Sequence, residues 1–548
     1  MDPETATSIR ELPVVIASKD MSWNRTGSWS LLKPEFVSKT PPCQGGCPAS
    51  VPVRDILAAV KKKEIEKAVE LFIDAHPFPA ITGRVCHHPC QTNCLRMDFD
   101  GSLEIRAIER FISEHVTPPK KVISNIKEKI AIIGSGPSGL SCAYYLRKTG
   151  YEVTIFESSP LTGGLLRYGI PAYRLPDEIL DSEIDRLDKM GIEFRTNISV
   201  NSRFIEEELK DYSALFLGIG AHISRKMEIP GEELPNVISG LKFLINFENY
   251  RDKFINRRIA VIGGGNTAMD AARTSLRLGA EVDIIYRRTR DEMPAIPEEI
   301  TGAEEEGCKF EFLAAPERII ENDENLDVMF INMKLGDSDD SGRRRPEKIP
   351  GSIHRANYDF VITAIGEDPD FKDFGNQITI SGNAIITDHS GRTDTSRYYA
   401  GGDAAGYSRT VADAIASGKR AAGTIDRILE NRGKSDPDSI ESLLAEADIN
   451  TDYFEQKKAV VIKNIDLEKR KNGFTEIISG LNEEEAVREA SRCFHCGECT
   501  YCDNCVIFCP DFAIRPSGDK YEVLEIYCKG CGICIKECPR GILQWKGK

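Results

Sequence analysis

Between Val53 and Phe72, apolar residues recur at near-helical intervals, at Ile56, Leu57, Val60, Ile65, Val69 and Phe72, which predicts helix. A Pro- and Lys-containing joint, Thr117 to Lys129, then gives way to the apolar run Ile130 to Ile133, the pattern of a strand buried on both faces. From about 130 to 430, such runs alternate with segments of helical character, the order that builds doubly wound parallel sheets. The stretch from Lys434 to Glu489 is polar first and helical near Asn482 to Ala490. Cys493 to Lys548 is too short to bury an adequate core by itself.

An internal repeat runs through the middle. A shift of 129 positions lays Gly134, Gly136 and Gly139 on Gly263, Gly265 and Ala268, and brings Ala143 onto Ala272 and Gly150 onto Gly279. In the first copy a strand, a Gly-x-Gly-x-x-Gly turn, a helix and a second strand ending in Glu157 follow in order. That context is what a dinucleotide needs: glycines admit the pyrophosphate to a helix N-terminus, and the acid accepts ribose hydroxyls. The second copy has Tyr286, Arg287 and Arg288 where the first has Glu157. Guanidinium groups suit a 2'-phosphate that a carboxylate would repel. FAD is therefore expected on the first unit and NADP(H) on the second, with NAD(H) open. Tyr399 to Asp403, another strand and glycine turn, is expected to complete the flavin site, and a helix starting near Thr410 to aim its positive end there. Ala364-Ile-Gly366, after the strand Phe360 to Ile362, reads as the crossover back from the nicotinamide unit.

A chain of 548 residues calls for several domains. Its net charge of -15 disfavours a nucleic-acid partner; Arg343 to Arg345 is only a short basic run. No apolar stretch is long enough to span a bilayer, and Met1 to Asp20 lacks the basic-then-apolar order of a secretory signal. Those features lead to an expectation of a cytoplasmic protein with no membrane partner.

Of 17 cysteines, five lie between Cys43 and Cys94 and ten between Cys493 and Cys538, a grouping that suits metal ligation better than disulfides. Cys142 and Cys308 read as small core residues, and no Cys-x-x-Cys adjoins either nucleotide unit. The C-terminal run Cys499-x2-Cys502-x2-Cys505-x3-Cys509-Pro and its repeat Cys528-x2-Cys531-x2-Cys534-x3-Cys538-Pro form the two-cluster ferredoxin pattern, in which each fourth cysteine serves the other cluster. One [4Fe-4S] cluster is expected on Cys499, Cys502, Cys505 and Cys538, and another on Cys528, Cys531, Cys534 and Cys509. Cys493 and Cys496 are left over, with His495 read as solvated. The N-terminal set is Cys43, Cys47, Cys86, Cys90 and Cys94, and one cluster on four of these five is expected; His87 and His88 read as bystanders.

Gly163-Gly-Leu-Leu-Arg-Tyr-Gly-Ile-Pro-Ala-Tyr-Arg-Leu-Pro176 and Tyr286-Arg-Arg-Thr-Arg-Asp-Glu-Met-Pro294 resemble the small subunit of NADPH-dependent glutamate synthase and the corresponding half of dihydropyrimidine dehydrogenase, over about residues 40 to 430. That resemblance implies FAD contacts from Glu157, Gly164, Leu165, Arg174, Asp403 and Thr410. It implies NADPH contacts from Asn266, Thr267, Arg287 and Arg288. Those families carry two further cysteines upstream of the first N-terminal pair, and none precedes Cys43 here. In some relatives a Gln or Glu completes a cluster, and Glu109 stands near that place. Tyr527 to Pro539 resembles the ferredoxin-like delta subunit of 2-oxoacid:ferredoxin oxidoreductases.

The fold expected is α/β: two Rossmann-like domains, an N-terminal α-helical iron-sulfur domain and a C-terminal bacterial-ferredoxin-like α+β domain. Expected limits are 36–115 for the helical domain, 128–250 with 360–430 for the FAD domain, and 251–359 for the NAD(P) domain. A linker with a helix spans 431–490 and the ferredoxin-like domain 491–548. The activity expected is electron transfer between NAD(P)H and a low-potential protein partner, either a ferredoxin or the catalytic subunit of a 2-oxoacid or aldehyde oxidoreductase, within a hetero-oligomer. A glutamate synthase small subunit and a non-catalytic iron-sulfur scaffold are the other readings. The flavin is needed because a hydride carries two electrons and a cluster takes one; no catalytic acid, base or nucleophile is assigned.

Overall fold

The computed structural model describes residues 25–430 and 442–547, apart from 118, 120, 124–125, 323–324, 340–341, 375–376, 407–408 and 519. Met1 to Asp20 and the start of the expected linker at Lys434 lie outside the described residues.

The first nucleotide unit is a five-stranded parallel sheet in the order Tyr398–Ala400, Ala214–Leu217, Lys129–Ile133, Glu152–Phe156, Glu193–Arg195. Its central strand Lys-Ile-Ala-Ile-Ile is buried at every position after the first, because helices cover both faces. The helix Pro137–Thr149 crosses the helix Val411–Leu429 in backbone contact, since a Cβ on Gly418 would stand 2.2 Å from the Ser138 carbonyl. That approach brings the N-termini of both helices to one end of the sheet.

The second unit repeats the plan with Lys309–Phe312, Glu281–Tyr286, Arg258–Ile262, Phe360–Thr363 and Val237–Ser239, all parallel. Phe360–Thr363 and Val237–Ser239 hydrogen-bond within this sheet, so the nicotinamide unit takes in 237–363 and not the expected 251–359. Strict strand-helix alternation also fails. Ala314–Asn322, Asn325–Ser338 and Arg344–Tyr358 form an antiparallel meander, whose buried Leu326, Val328 and Phe330 alternate with less buried neighbours, as one covered face requires.

At the N-terminal end, the expected Val53 to Phe72 helix is two helices, Val53–Lys61 and Ile65–Ala75, interrupted by Lys63 in a left-handed conformation. The helix Pro79–Val85 inserts Ile81 and Val85 into the core of the first nucleotide unit. The region beyond 442 is no loose linker: Val460, Leu481, Ala486 and Ala490 are buried in the N-terminal domain's own core, beside Phe72 and Ile108. Nor is the ferredoxin-like domain confined to 491–548. Leu32–Phe36 pairs antiparallel with Leu543–Gly547, and the buried Lys33 ammonium donates to the carbonyls of Gly27, Glu525 and Cys528. The two ends of the chain thus fold against each other. Among the described residues no helix is long and apolar enough to cross a membrane.

Candidate functional site

The first glycine turn separates its three glycines by task. Gly134 has φ +99°, and a Cβ there would meet the Gly218 carbonyl at 2.4 Å; a Cβ on Gly139 would stand 2.1 Å from the Gly134 carbonyl. These two allow the tight turn and the close helix-strand approach. Gly136, at the N-cap of Pro137–Thr149, faces nothing within 4 Å, leaving a cradle that a side chain would fill. The second copy repeats the pattern: a Cβ on Gly263 would meet the Ala364 carbonyl at 2.1 Å, whereas Gly265 faces open space.

One cavity of about 680 Å³ receives the first turn and the start of the helix that follows the second. Of the expected flavin residues, Gly134, Gly136, Glu157, Gly164, Leu165, Arg174, Asp403 and Thr410 line it; of the expected nicotinamide residues, Asn266 and Thr267 do. Gly139 and Gly263 stand behind the wall as packing glycines. Gly265, Arg287 and Arg288 lie outside this cavity's lining.

Glu157 is buried and accepts hydrogen bonds from the Ser135 amide at 3.0 Å, the Ser135 hydroxyl at 2.6 Å and the Ser159 amide at 2.8 Å. Burial pushes its carboxyl up, but these donors outweigh burial and hold it below the ordinary carboxylate range. The result is a fixed anionic acceptor at the sheet edge, as ribose hydroxyls require. Thr410 caps the 19-residue helix Val411–Leu429, its hydroxyl accepting the Asp413 amide, and this helix end opens on the cavity. Burial raises the Asp403 carboxyl, with Arg409 and His222 opposing. These features fit FAD.

Arg174 is already engaged. Its guanidinium pairs with Asp270 at 2.7 Å and Glu299 at 3.0 Å, tying a loop of the first unit to two helices of the second. Burial pushes the Asp270 carboxyl up against the pull of Arg174. Behind this pair, Arg273 and Arg277 bond to Glu306, all three fully buried, so the two units meet through a continuous ionic seam.

Arg287 and Arg288 do not act as an equivalent pair. Arg288 is buried, paired with Asp339 at 2.7 Å and bonded to the Arg344 carbonyl; its charge is held inside the protein. Arg287 is exposed, and burial of its inner part together with Arg288 and Arg343 lowers its pKa. Of the two, Arg287 is the exposed one.

Of the N-terminal domain, Val85 lines the cavity, and so does His87. It adjoins Cys86, which together with Cys47, Cys90 and buried Glu109 forms one electrostatically coupled group. Burial pushes the Glu109 carboxyl up to about 8, against the Thr82 hydroxyl that donates to it. Cys43 and Cys94 belong elsewhere: with Cys493 and Cys496 they line a separate hollow. The five N-terminal cysteines thus divide between two neighbouring groups, with Cys43 also within electrostatic reach of Cys90. At the C-terminus, Cys499, Cys502, Cys505 and Cys538 line one hollow, and Cys534 lies within electrostatic reach of Cys509, Cys528 and Cys531. None of the 17 cysteines forms a disulfide. Among the described residues no three His, Cys, Asp or Glu side chains converge as a single ion would need; a cubane instead takes each thiolate on a different iron.

A dinucleotide turn and the helix start of its repeat facing one cleft, with cysteine groups behind it, define an FAD-dependent pyridine-nucleotide oxidoreductase that carries iron-sulfur centres. Residues 128–418, more than half the chain, match the pyridine nucleotide-disulphide oxidoreductase family, and residues 36–120 match the 4Fe-4S cluster domain II of dihydropyrimidine dehydrogenase. The chain belongs to the pyridine nucleotide-disulphide oxidoreductase family. It is 34% identical to the NADPH-Fe(3+) oxidoreductase subunit beta of Geobacter sulfurreducens, over 84% of this chain and 76% of that one. Identity is also 34% to the NADP(+)-dependent formate dehydrogenase subunit beta of Moorella thermoacetica, over 83% and 70% of the two chains. The Escherichia coli glutamate synthase [NADPH] small chain is 34% identical over 71% of this chain and 89% of its own. The scaffold reading falls with these matches: the protein is an electron-transferring enzyme.

Proposed function

We propose that this chain is the NADPH-linked subunit of a hetero-oligomer, exchanging electrons with a low-potential protein partner, either a ferredoxin or the catalytic subunit of a 2-oxoacid or aldehyde oxidoreductase. The observation that carries this reading is the cleft itself, which takes its walls from the flavin unit, the nicotinamide unit and Val85 and His87 of the iron-sulfur domain, the two residues that flank Cys86. The FAD site is Gly134, Gly136, Glu157, Gly164, Leu165, Asp403 and Thr410. Gly265, Asn266 and Thr267 hold the nicotinamide dinucleotide, and Arg287 takes the 2'-phosphate. When bound, FAD converts the two electrons of a hydride into single-electron deliveries. The Arg174–Asp270 pair keeps the two units at one spacing. Two of the relatives are named as beta subunits, which supports a separate partner. The glutamate synthase small chain supports a second reading, in which the partner is a glutamine-using large subunit.

The anaerobic protein, loaded with FAD and clusters, is expected to reduce methyl viologen or a ferredoxin at the expense of NADPH without any added subunit. Absence of that reaction from fully loaded protein would reject the proposal. Arg287→Ala should raise KM for NADPH by about tenfold or more, from the roughly 1.5–3 kcal/mol of a charged hydrogen bond, and leave KM for NADH unchanged. An equal change for both nucleotides would contradict the assignment of the 2'-phosphate to Arg287.

A further inference from the structure

We infer that Cys43, Cys94, Cys493 and Cys496 hold a further [4Fe-4S] cluster, whose ligands come in equal number from the two ends of the chain and which joins the N-terminal domain to the ferredoxin-like one. The inference rests on the electron-transfer reading above and adds a metal site to it.

The backbone at Cys493 and Cys496 has the form of the ferredoxin runs. In Cys499-Thr-Tyr-Cys502-Asp the third and fifth residues are left-handed, Tyr501 at φ +55° and Asp503 at +62°. In Cys528-Lys-Gly-Cys531-Gly they are Gly530 at +69° and Gly532 at +78°. In Cys493-Phe-His-Cys496-Gly they are His495 at +50° and Gly497 at +76°. Left-handed backbone at a histidine is uncommon, and here it points the His495 amide at the Cys493 sulfur, 3.4 Å away. Cys86, in the N-terminal cluster domain, has the same bond from His88, at 3.3 Å and with φ +44°. Amides aimed at sulfur are among the features that tune cluster thiolates, and Cys493 has one.

The rest of the fold holds this turn against Cys43 and Cys94. Arg492, fully buried, donates to the carbonyls of Lys457, Asp100, Gly101 and Ser102 and pairs with Glu489 and Asp100. Arg96, two residues after Cys94, returns a hydrogen bond to the Arg492 carbonyl. Arg54 donates to the Cys496 carbonyl at 3.2 Å. Gly497 lies so close to Lys39 that a Cβ would stand 2.1 Å from the Lys39 carbonyl. The four cysteines share an apolar hollow with Leu57 and Leu103.

This placement closes a line of cysteine groups. Cys86 adjoins the flavin cleft, Cys43 and Cys47 are four positions apart in sequence, and Arg540 lies within electrostatic reach of Cys493, Cys496, Cys502 and Cys538. Cys505 and Cys534 link the two ferredoxin groups. Each transfer along the line moves one electron and no atoms. A pair of cysteines supplied from beyond residue 490 takes the place of the pair that is missing before Cys43.

The test is iron content with electron paramagnetic resonance on the flavin-loaded full chain. Counting the Cys47, Cys86, Cys90 and Glu109 group as a cluster site, the wild type should hold about 16 iron atoms per chain and Cys493→Ser/Cys496→Ser about 12, with one reduced-cluster signal lost. Cys94→Ser, at the opposite end of the sequence, should lose the same signal, while Cys142→Ser keeps all of them. Unchanged iron in the double variant, or loss of a different signal in Cys94→Ser, overturns the site. Should either variant fail to retain flavin, alkylation of the native wild-type holoprotein decides: Cys43, Cys94, Cys493 and Cys496 should become reactive together when a chelator strips iron. Reaction of Cys493 and Cys496 before stripping overturns it too. A flavin that NADPH cannot bleach would instead reject the proposed function, whatever the iron content.

Discussion

Gly136→Val should yield a folded protein that purifies without flavin. Gly136 has φ -70° and ψ 177°, a backbone that any residue adopts, and no atom stands within 4 Å of the position a Cβ would take. The β-carbon of the valine therefore clashes with nothing in the protein, and the side chain enters the space left for the pyrophosphate. Losing two backbone hydrogen bonds to a charged group, at roughly 1.5–3 kcal/mol each, weakens FAD binding by about 100-fold or more. NADPH oxidation falls with the flavin, while the thermal transition of the flavin-free protein stays that of the wild-type apoprotein. Gly139→Val is expected to differ in kind. Its Cβ would stand 2.1 Å from the Gly134 carbonyl, so the strand and helix must move apart and the unit itself is destabilised. Flavin content and melting temperature measured side by side separate the two; a flavin-replete Gly136→Val protein would contradict the site.

The second large effect concerns closure of the chain's two ends. Arg492→Ala removes a side chain only 1% exposed and leaves Glu489, at 0%, without its cation, while Asp100 keeps its pair with Arg96. Breaking a buried pair from one side costs about 3–5 kcal/mol, because the remaining charge stays desolvated. The unfolding transition of the N-terminal domain should fall accordingly, and limited proteolysis should cut between residues 442 and 490 in the variant before it does in the wild type. By comparison, Arg203→Ala disrupts an i,i+4 pair whose partners are 83% and 56% exposed and should change stability by no more than about 0.5 kcal/mol. A small effect at Arg492 would mean that the C-terminal segment is a tether after all.

Features carried by local spacing were legible in the sequence. The two glycine turns and Glu157 each depend on residues a few positions apart, and both turns lead from a strand into a helix as their spacing predicts. Partnerships across the chain were not. Nothing near Arg288 announces Asp339, which reaches it only because the meander folds back over the second sheet, so the two arginines read as alike until one was seen to be buried. The meander's alternation at Leu326, Val328 and Phe330 was available as a signal but lay within a region dominated by strand-helix order. The split of the N-terminal cysteines was hidden for a stronger reason: the partners of Cys43 and Cys94 lie some 400 residues away, and no periodicity spans that distance. One local sign did exist. Cys493, Cys496, Cys499, Cys502 and Cys505 recur every third residue, so the first pair has the spacing of its successors.

The central claim is that the cleft delivers electrons from a nicotinamide to the iron-sulfur groups behind it. The most direct measurement is an anaerobic titration of the loaded protein with NADPH, followed at the flavin band and by electron paramagnetic resonance together. The account predicts that bleaching of the flavin is accompanied by reduced-cluster signals in the same protein, and that Gly136→Val shows neither. Reduced clusters in Gly136→Val, or a flavin that bleaches fully while every cluster stays oxidised in the presence of excess NADPH, would contradict it.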